Sequence, residues 1–179
     1  TSSYSGADVS NYSVTDQSST TANITAKALT VSGITASNKT YDGSTSATLD
    51  SSSVLYNGLV SGDTFTGSYT GAFSNANVGT GKTVNITSSY SGSDVSNYSV
   101  TDQSSTTADI SAKALTATAS ASNKVYDGSS AASTTLTLSG LIGSETLAST
   151  TSSSFNNKNV GTGKTVTVNS ITLADGSNG

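Results

Sequence analysis

The sequence predicts an all-β protein built from tandem sandwich units of about 85 residues. Three observations lead there. First, the block from Tyr4 to Leu29 returns from Tyr90 to Leu115 with changes at three positions only, Ala7/Ser93, Asn23/Asp109 and Thr25/Ser111. Self-similarity at a fixed spacing marks a repeat architecture and has to be read before any fold is argued. Second, short stretches alternate apolar and polar side chains with the period of two that places one face of a strand in a core, and no stretch carries a convincing helical period. Third, 70 of the 179 residues are Ser or Thr, yet charged residues make up only 10 % and Val, Ile, Leu and Tyr recur at matching places. Disorder goes with high net charge and few β-branched or aromatic residues. Thr, Val, Ile and Tyr favour strands, so the hydroxyl-rich residues read as the outer faces of a thin-cored β fold.

Taken in order, Asn11–Asp16 alternates, with Tyr12 and Val14 on one face. A turn follows, and Thr20–Leu29 reads as a second strand with Ala22, Ile24, Ala26 and Ala28 aligned. A single helical turn fits Gly6–Ser10 and its copy Gly92–Ser96. Leu29 to Ile34 continues in extended form with no Gly/Ser-rich spacer, which predicts a short, stiff junction. Asn38–Gly43 (NKTYDG) closes on Asp-Gly, a turn pair in which Gly supplies positive φ and Asp bonds its own backbone. Strands are expected around Ala47–Leu49 and Val54–Tyr56, with an Asn57-Gly58 turn behind them. Thr64–Thr70 alternates Phe65, Gly67 and Tyr69 on one face, 73–80 reads as a loop, and Lys82–Ile86 as a strand. About seven short strands per unit point to a two-sheet sandwich.

Two further markers fix the repeat. NKTYDG at 38–43 is answered by NKVYDG at 123–128, and FSNANVGTGKTVNI at 73–86 by FNNKNVGTGKTVTV at 155–168. On that register residues 1–29 are the C-terminal strands of a preceding repeat, 30–115 one complete repeat, and 116–179 the N-terminal part of a following one.

One local pattern sharpens the sandwich. Asp8-x-x-Asn11-Tyr12-x-Val14 resembles the D-x-G-x-Y-x-C stretch of immunoglobulin-like domains, with Ser10 at the Gly place and Val14 at the Cys place. Asp94, Tyr98 and Val100 repeat it. The resemblance implies that Tyr12 and Tyr98 are corner residues whose hydroxyls bond upstream backbone. A buried tyrosine needs such a partner. Tandem immunoglobulin-like sandwiches are therefore the expected fold, and a β-grasp the alternative.

Composition excludes several function classes. His, Cys, Met, Trp, Pro and Arg are absent and Glu145 is the sole Glu, so acyl transfer lacks its usual histidine base and thiol nucleophile, and the many Ser and Thr read as solvated strand faces. Disulfides and thiolate metal sites are excluded. A net charge of −4 argues against nucleic acid and anionic membranes, and no apolar run approaches a membrane-spanning length. Gly79–Thr83 and Gly161–Thr165 (GTGKT) end like a phosphate loop, but position 76 is Ala, position 158 is Lys, and strand-like TVNI and TVTV follow. Asp42, Asp63, Asp127 and Asp175 sit in turns without the clustered carboxylates a hard cation wants. No metal or other cofactor is expected. A lysine isopeptide at Lys39 or Lys124 would suit a load-bearing chain, but the sequence shows no buried acid to assist it.

Together NKxYDG, FxNKNVGTGKTV, SGADxxNYxxT and TTADIxxKALT resemble the YDG/MBG-type repeats of large bacterial surface and secreted proteins, among them filamentous-haemagglutinin-like and other fibrillar adhesins. The resemblance covers essentially the whole chain. It implies a non-catalytic stalk or matrix-filament module, secreted or at the cell surface, with Tyr41, Asp42, Gly43 and Tyr126, Asp127, Gly128 as structural turn residues beside Asp8, Tyr12, Asp94 and Tyr98. The family has no established catalytic residues to carry over. A module that binds a glycan or a host protein is the alternative. Its expected partners are neighbouring repeats, further copies joined head to tail in a filament, and a host or matrix surface. On that reading residues 1–29 of one copy pack into residues 116–179 of the next, bringing residue 179 of one beside residue 1 of the other.

Overall fold

A computed structural model describes residues 2–176 and bears out the all-β expectation. The expected meeting of residues 1 and 179 lies outside the described residues. The first group of strands comprises β1 (Lys27–Ser32), β2 (Thr35–Ala36), β3 (Lys39–Thr40), β4 (Ser46–Ala47), β5 (Leu49–Asp50), β6 (Leu55–Asn57), β7 (Thr66–Phe73), β8 (Gly79–Ser91), β9 (Tyr98–Thr101) and β10 (Ser105–Ser111). They make a three-stranded sheet, β6-β1-β9, and a five-stranded sheet, β3-β10-β8-β7-β4, with the short pair β2-β5 beside them. The long β7–β8 hairpin runs in unbroken register from Thr66↔Ser91 to Phe73↔Val84. Two pairings are parallel, β1 with β9 and β10 with β3, where a wholly antiparallel sandwich has none. No α-helix occurs among the described residues, so the β-grasp alternative lacks the helix its sheet would wrap.

Alternation along these strands sends one set of side chains between the sheets. Leu29, Val31, Ile34, Phe65 and Tyr98 are buried together, with Tyr56, Tyr69, Ile86 and Tyr90 packed around them. Phe65 lies edge-on to Tyr56 and Tyr98, with ring centroids 5.2 and 5.9 Å apart, the offset geometry that aromatic quadrupoles favour. Phe73, Val84, Ala108 and Ile110 close the other end of the sandwich. Fully burying a residue such as Leu29 or Ile110 is worth about 1.5–3 kcal/mol.

The second group comprises β11 (Thr116–Ala121), β12 (Ala131–Ala132), β13 (Thr134–Ser139), β14 (Leu147–Phe155) and β15 (Val166–Asp175). β11 pairs with β13, and β12-β14-β15 form the second sheet. Sequence register makes β11, β14 and β15 the counterparts of β1, β7 and β8. Among the described residues of this unit no apolar side chain is as buried as the first unit's core.

The N-terminal residues differ from expectation. Val9–Asn11 forms a single 3-10 turn, matched by Val95–Asn97. Of the two strands expected here, Asn11–Asp16 does not form and Thr20–Leu29 forms only at its end, where β1 begins at Lys27; residues 12–26 carry no strand, and every one of them is exposed. A strand needs a partner for its N–H and C=O groups, and residues 12–26 pair with no other described strand. The expected loop 73–80 is shorter, because β8 already starts at Gly79.

Candidate functional site at the repeat junction

Four residues, 112–115, separate β10 from β11, so the two units are closely joined in sequence. Their contact is built from turns. In the first unit, Asp42 Oδ1 accepts the Ser44 N–H at 2.8 Å and the Lys39 ammonium at 2.7 Å. Lys39 also donates to the Ser44 carbonyl at 2.7 Å and lies 5.4 Å from the centre of the Phe73 ring. One cation thus ties the turn to the core. Lys124, Asp127, Ser129 and Phe155 repeat the arrangement in the second unit. The lysine hydrogen bond first, then the serine, holds the Asp42 and Asp127 carboxyls down at about 2. Asp42 is half exposed, so the lysine's partner is a solvated carboxylate and not the buried acid an isopeptide needs.

This braced turn presents Tyr41 and Gly43 to the second unit. The Tyr41 hydroxyl donates to the Glu145 carboxylate. Gly43 has φ of +75°, which only Gly adopts freely, and a methyl group there would sit 3.1 Å from Ile142 Cγ2. Ile142 and Glu145 belong to one tight turn, the Glu145 N–H reaching the Ile142 carbonyl at 3.0 Å. The accepting carboxylate raises the Tyr41 hydroxyl above its ordinary range, because ionising it would set two negative charges side by side.

The same turn exists in the first unit. Gly58-Leu59-Val60-Ser61-Gly62-Asp63 answers Gly140-Leu141-Ile142-Gly143-Ser144-Glu145, and the Asp63 N–H reaches the Val60 carbonyl at 3.2 Å. There the acid serves Tyr98, whose hydroxyl donates to Asp63 at 2.5 Å and accepts the Val60 N–H at 3.0 Å. Asp63 raises the Tyr98 hydroxyl. Tyr98 is buried and does bond upstream backbone, but 38 positions back and with a carboxylate added. Asp94 accepts the Thr64 N–H at 2.8 Å, which fixes the 3-10 turn against the strand approach and lowers the Asp94 carboxyl.

The other expected site residues are not brought to the junction. Tyr12 is 75 % exposed, a correction to its expected corner role, because no described segment supplies the loop that Val60–Asp63 gives Tyr98. Asp8 is exposed too, and its carbonyl accepts the Asn11 N–H. Tyr126, Asp127 and Gly128 keep the braced turn, but Tyr126 is exposed and nothing stands within 4 Å of the place a methyl on Gly128 would occupy. The GTGKT stretch opens β8, where the Gly81 N–H donates to Asp109 at 2.7 Å, so no helix follows it.

The sequence pattern of the YDG domain matches residues 25–108 and again 111–179. The chain belongs to the YDG domain family. No curated protein and no solved structure matches it. The YDG signature has a physical content here: Asp braces the turn, Gly gives the left-handed backbone and close approach, and Tyr reaches the next unit. Sequence reasoning missed the receiving acids. Their signal was the matched Gly-Leu-x-x-x-acid spacing in the two units. It also missed Gln103, whose side-chain amide bonds both the N–H and the carbonyl of Ile34 at 2.9 and 2.7 Å.

Proposed function

We propose that this chain is a non-catalytic segment of a structural stalk or fibre, in a bacterial protein secreted or held at the cell surface, as in fibrillar adhesins and matrix filaments. The joint carries this reading. Four connecting residues and the Tyr41–Glu145 contact restrain one YDG unit against the next, as expected of a quasi-one-dimensional array whose units contact their neighbours. The lack of His and Cys, and a sole Glu already bonded to a tyrosine, add support. Neighbouring YDG units and further copies in line are the partners, and the array holds its protein out toward a host or matrix surface.

Small-angle scattering on dilute chain tests the stalk. The wild type should scatter as one rigid shape, and Tyr41→Ala or Glu145→Ala should broaden its distance distribution. A wild type that already hinges as freely as the variants would overturn the reading. Antibody labelling of intact source cells checks the location.

A further inference from the structure

In the first unit β1, β2 and β3 make one path, residues 27–40, and β9 and β10 make another, residues 98–111. Each path passes from the three-stranded sheet to the five-stranded one, and the two keep a single register throughout. Lys27 faces Tyr98 and Thr30 faces Thr101 in the parallel β1–β9 pair, and Lys39 faces Ile110 and Thr40 faces Ser111 in the parallel β3–β10 pair. The separation is 71 positions in each, as it is between Asn38 and Asp109. Side chains carry the ladder across the gap between the two pairs. Gln103 accepts the Ile34 N–H at 2.9 Å and donates to the Ile34 carbonyl at 2.7 Å, and Asn38 accepts the Asp109 N–H at 2.7 Å. The Tyr41 N–H, donating to the Ser111 carbonyl at 2.8 Å, closes the far end. Leu29, Val31, Ile34 and Ile110 are buried along the ladder.

The same two paths join the unit to the rest of the chain. Lys27 follows directly on the exposed residues before it, and Ser111 leads through 112–115 into β11. Tension on the chain therefore draws 27–40 toward its N-terminal end and 98–111 toward its C-terminal end. Because the paths are parallel, the two forces oppose each other along the strand axis. They can only slide one path past the other. Sliding requires the backbone pairs and the Gln103 and Asn38 bonds to give together, and it drags Leu29, Ile34 and Ile110 from the core into water. Antiparallel paths would put entry and exit at one end, and the same bonds would open one after another.

We propose that this parallel ladder is a tension-bearing clamp, which keeps the unit folded when the chain is pulled along its length. The two parallel pairings that set this fold apart from a wholly antiparallel sandwich are the ones that tension loads. Gln103 is a positioning residue of the clamp, holding the paths in register where they cross between sheets. Tyr41, the first residue past Thr40, bonds Glu145 of the next unit, so the far end of the clamp is tied to the unit that pulls on it. The source of the tension rests on the stalk reading; the clamp itself rests on the shared register and direction of the two paths.

Single-molecule pulling on the full chain tests the clamp. The chain has no cysteine, so cysteines introduced in pairs at exposed positions set where the force enters. Thr25→Cys with Ala112→Cys loads the ladder along its axis, and Thr25→Cys with Ser96→Cys pulls the same two paths apart from one end. At one loading rate the first pair should need a several-fold greater force, and should give way in a single step that frees the whole stretch between the handles. Gln103→Ala should lower that force and leave the one-end force unchanged, because opening from one end is set by the first pairs, at Lys27 and Tyr98. The comparison of the two handle pairs needs no change in the ladder itself. Equal forces in the two geometries, or an axial pull that opens the ladder in small early steps while β7 and β8 stay folded, would overturn the proposal. Either result leaves the scattering and labelling tests of the stalk untouched, and a wild type that hinges freely in scattering leaves the ratio of forces untouched.

Discussion

Tyr98 shows how much one hydroxyl can organise. It closes the aromatic group around Phe65, accepts the Val60 N–H and donates to Asp63. Tyr98→Phe keeps the ring and strands a backbone donor and a carboxylate. The unfolding midpoint of the first unit should drop by several degrees, read by thermal circular dichroism, whereas Tyr12→Phe, at an exposed site, should leave it unchanged. The importance of Tyr98 was legible in the sequence, because a tyrosine repeated in an apolar alternation needs a partner for its hydroxyl. The identity of the partner was not. Asp63 lies 35 positions upstream and Glu145 104 positions from Tyr41, and packing rather than local pattern brings them together.

At the level of strands, period-two alternation located β7, the core part of β8, and the faces carrying Phe65, Tyr69, Val84 and Ile86. The same alternation over 12–26 led to strands that do not form. Alternation states which face a strand would bury, while pairing needs a second strand to receive it. β10 and residues 19–25 separate the two conditions, having nearly one sequence and opposite surroundings. Ile110→Ala should destabilise the first unit by about 2–5 kcal/mol, and Ile24→Ala should cost a dilute chain nothing measurable, both by urea unfolding. Amide exchange should divide the same way, slow in β8 and β10 and fast across 12–26.

For the whole molecule, the titrating groups set a broad pH plateau. No side-chain type present has its ordinary range between about pH 5 and 9. Asp42 and Asp127 have their folded values lowered to about 2. Their contribution is full above the unfolded carboxyl range, near 4, and is lost as pH falls from there through about 2. Tyr41 and Tyr98 are raised, and Tyr90, chiefly by burial, is pushed up to about 12. Their contribution is full below about pH 10 and is lost as pH rises through the folded values. Unfolding midpoints should therefore be flat from pH 5 to 9 and fall on both sides. Tyr41→Phe should remove only the part of the alkaline fall that belongs to the joint. A midpoint that moves steeply inside the plateau would contradict this assignment.

The matched turns at Val60–Asp63 and Ile142–Glu145 carry a consequence for how such a chain can change length. The acid turn recurs at the same place in both units, with Asp63 in one and Glu145 in the other, and among the described residues it is Glu145 that meets a YDG turn. A gene rearrangement that adds or removes one whole period keeps the spacing that sets a YDG turn opposite the next unit's acid turn, as Tyr41 stands opposite Glu145. A rearrangement of half a period leaves a braced turn facing the wrong surface. Length is then free to vary in whole steps, with no new interface to evolve at each step.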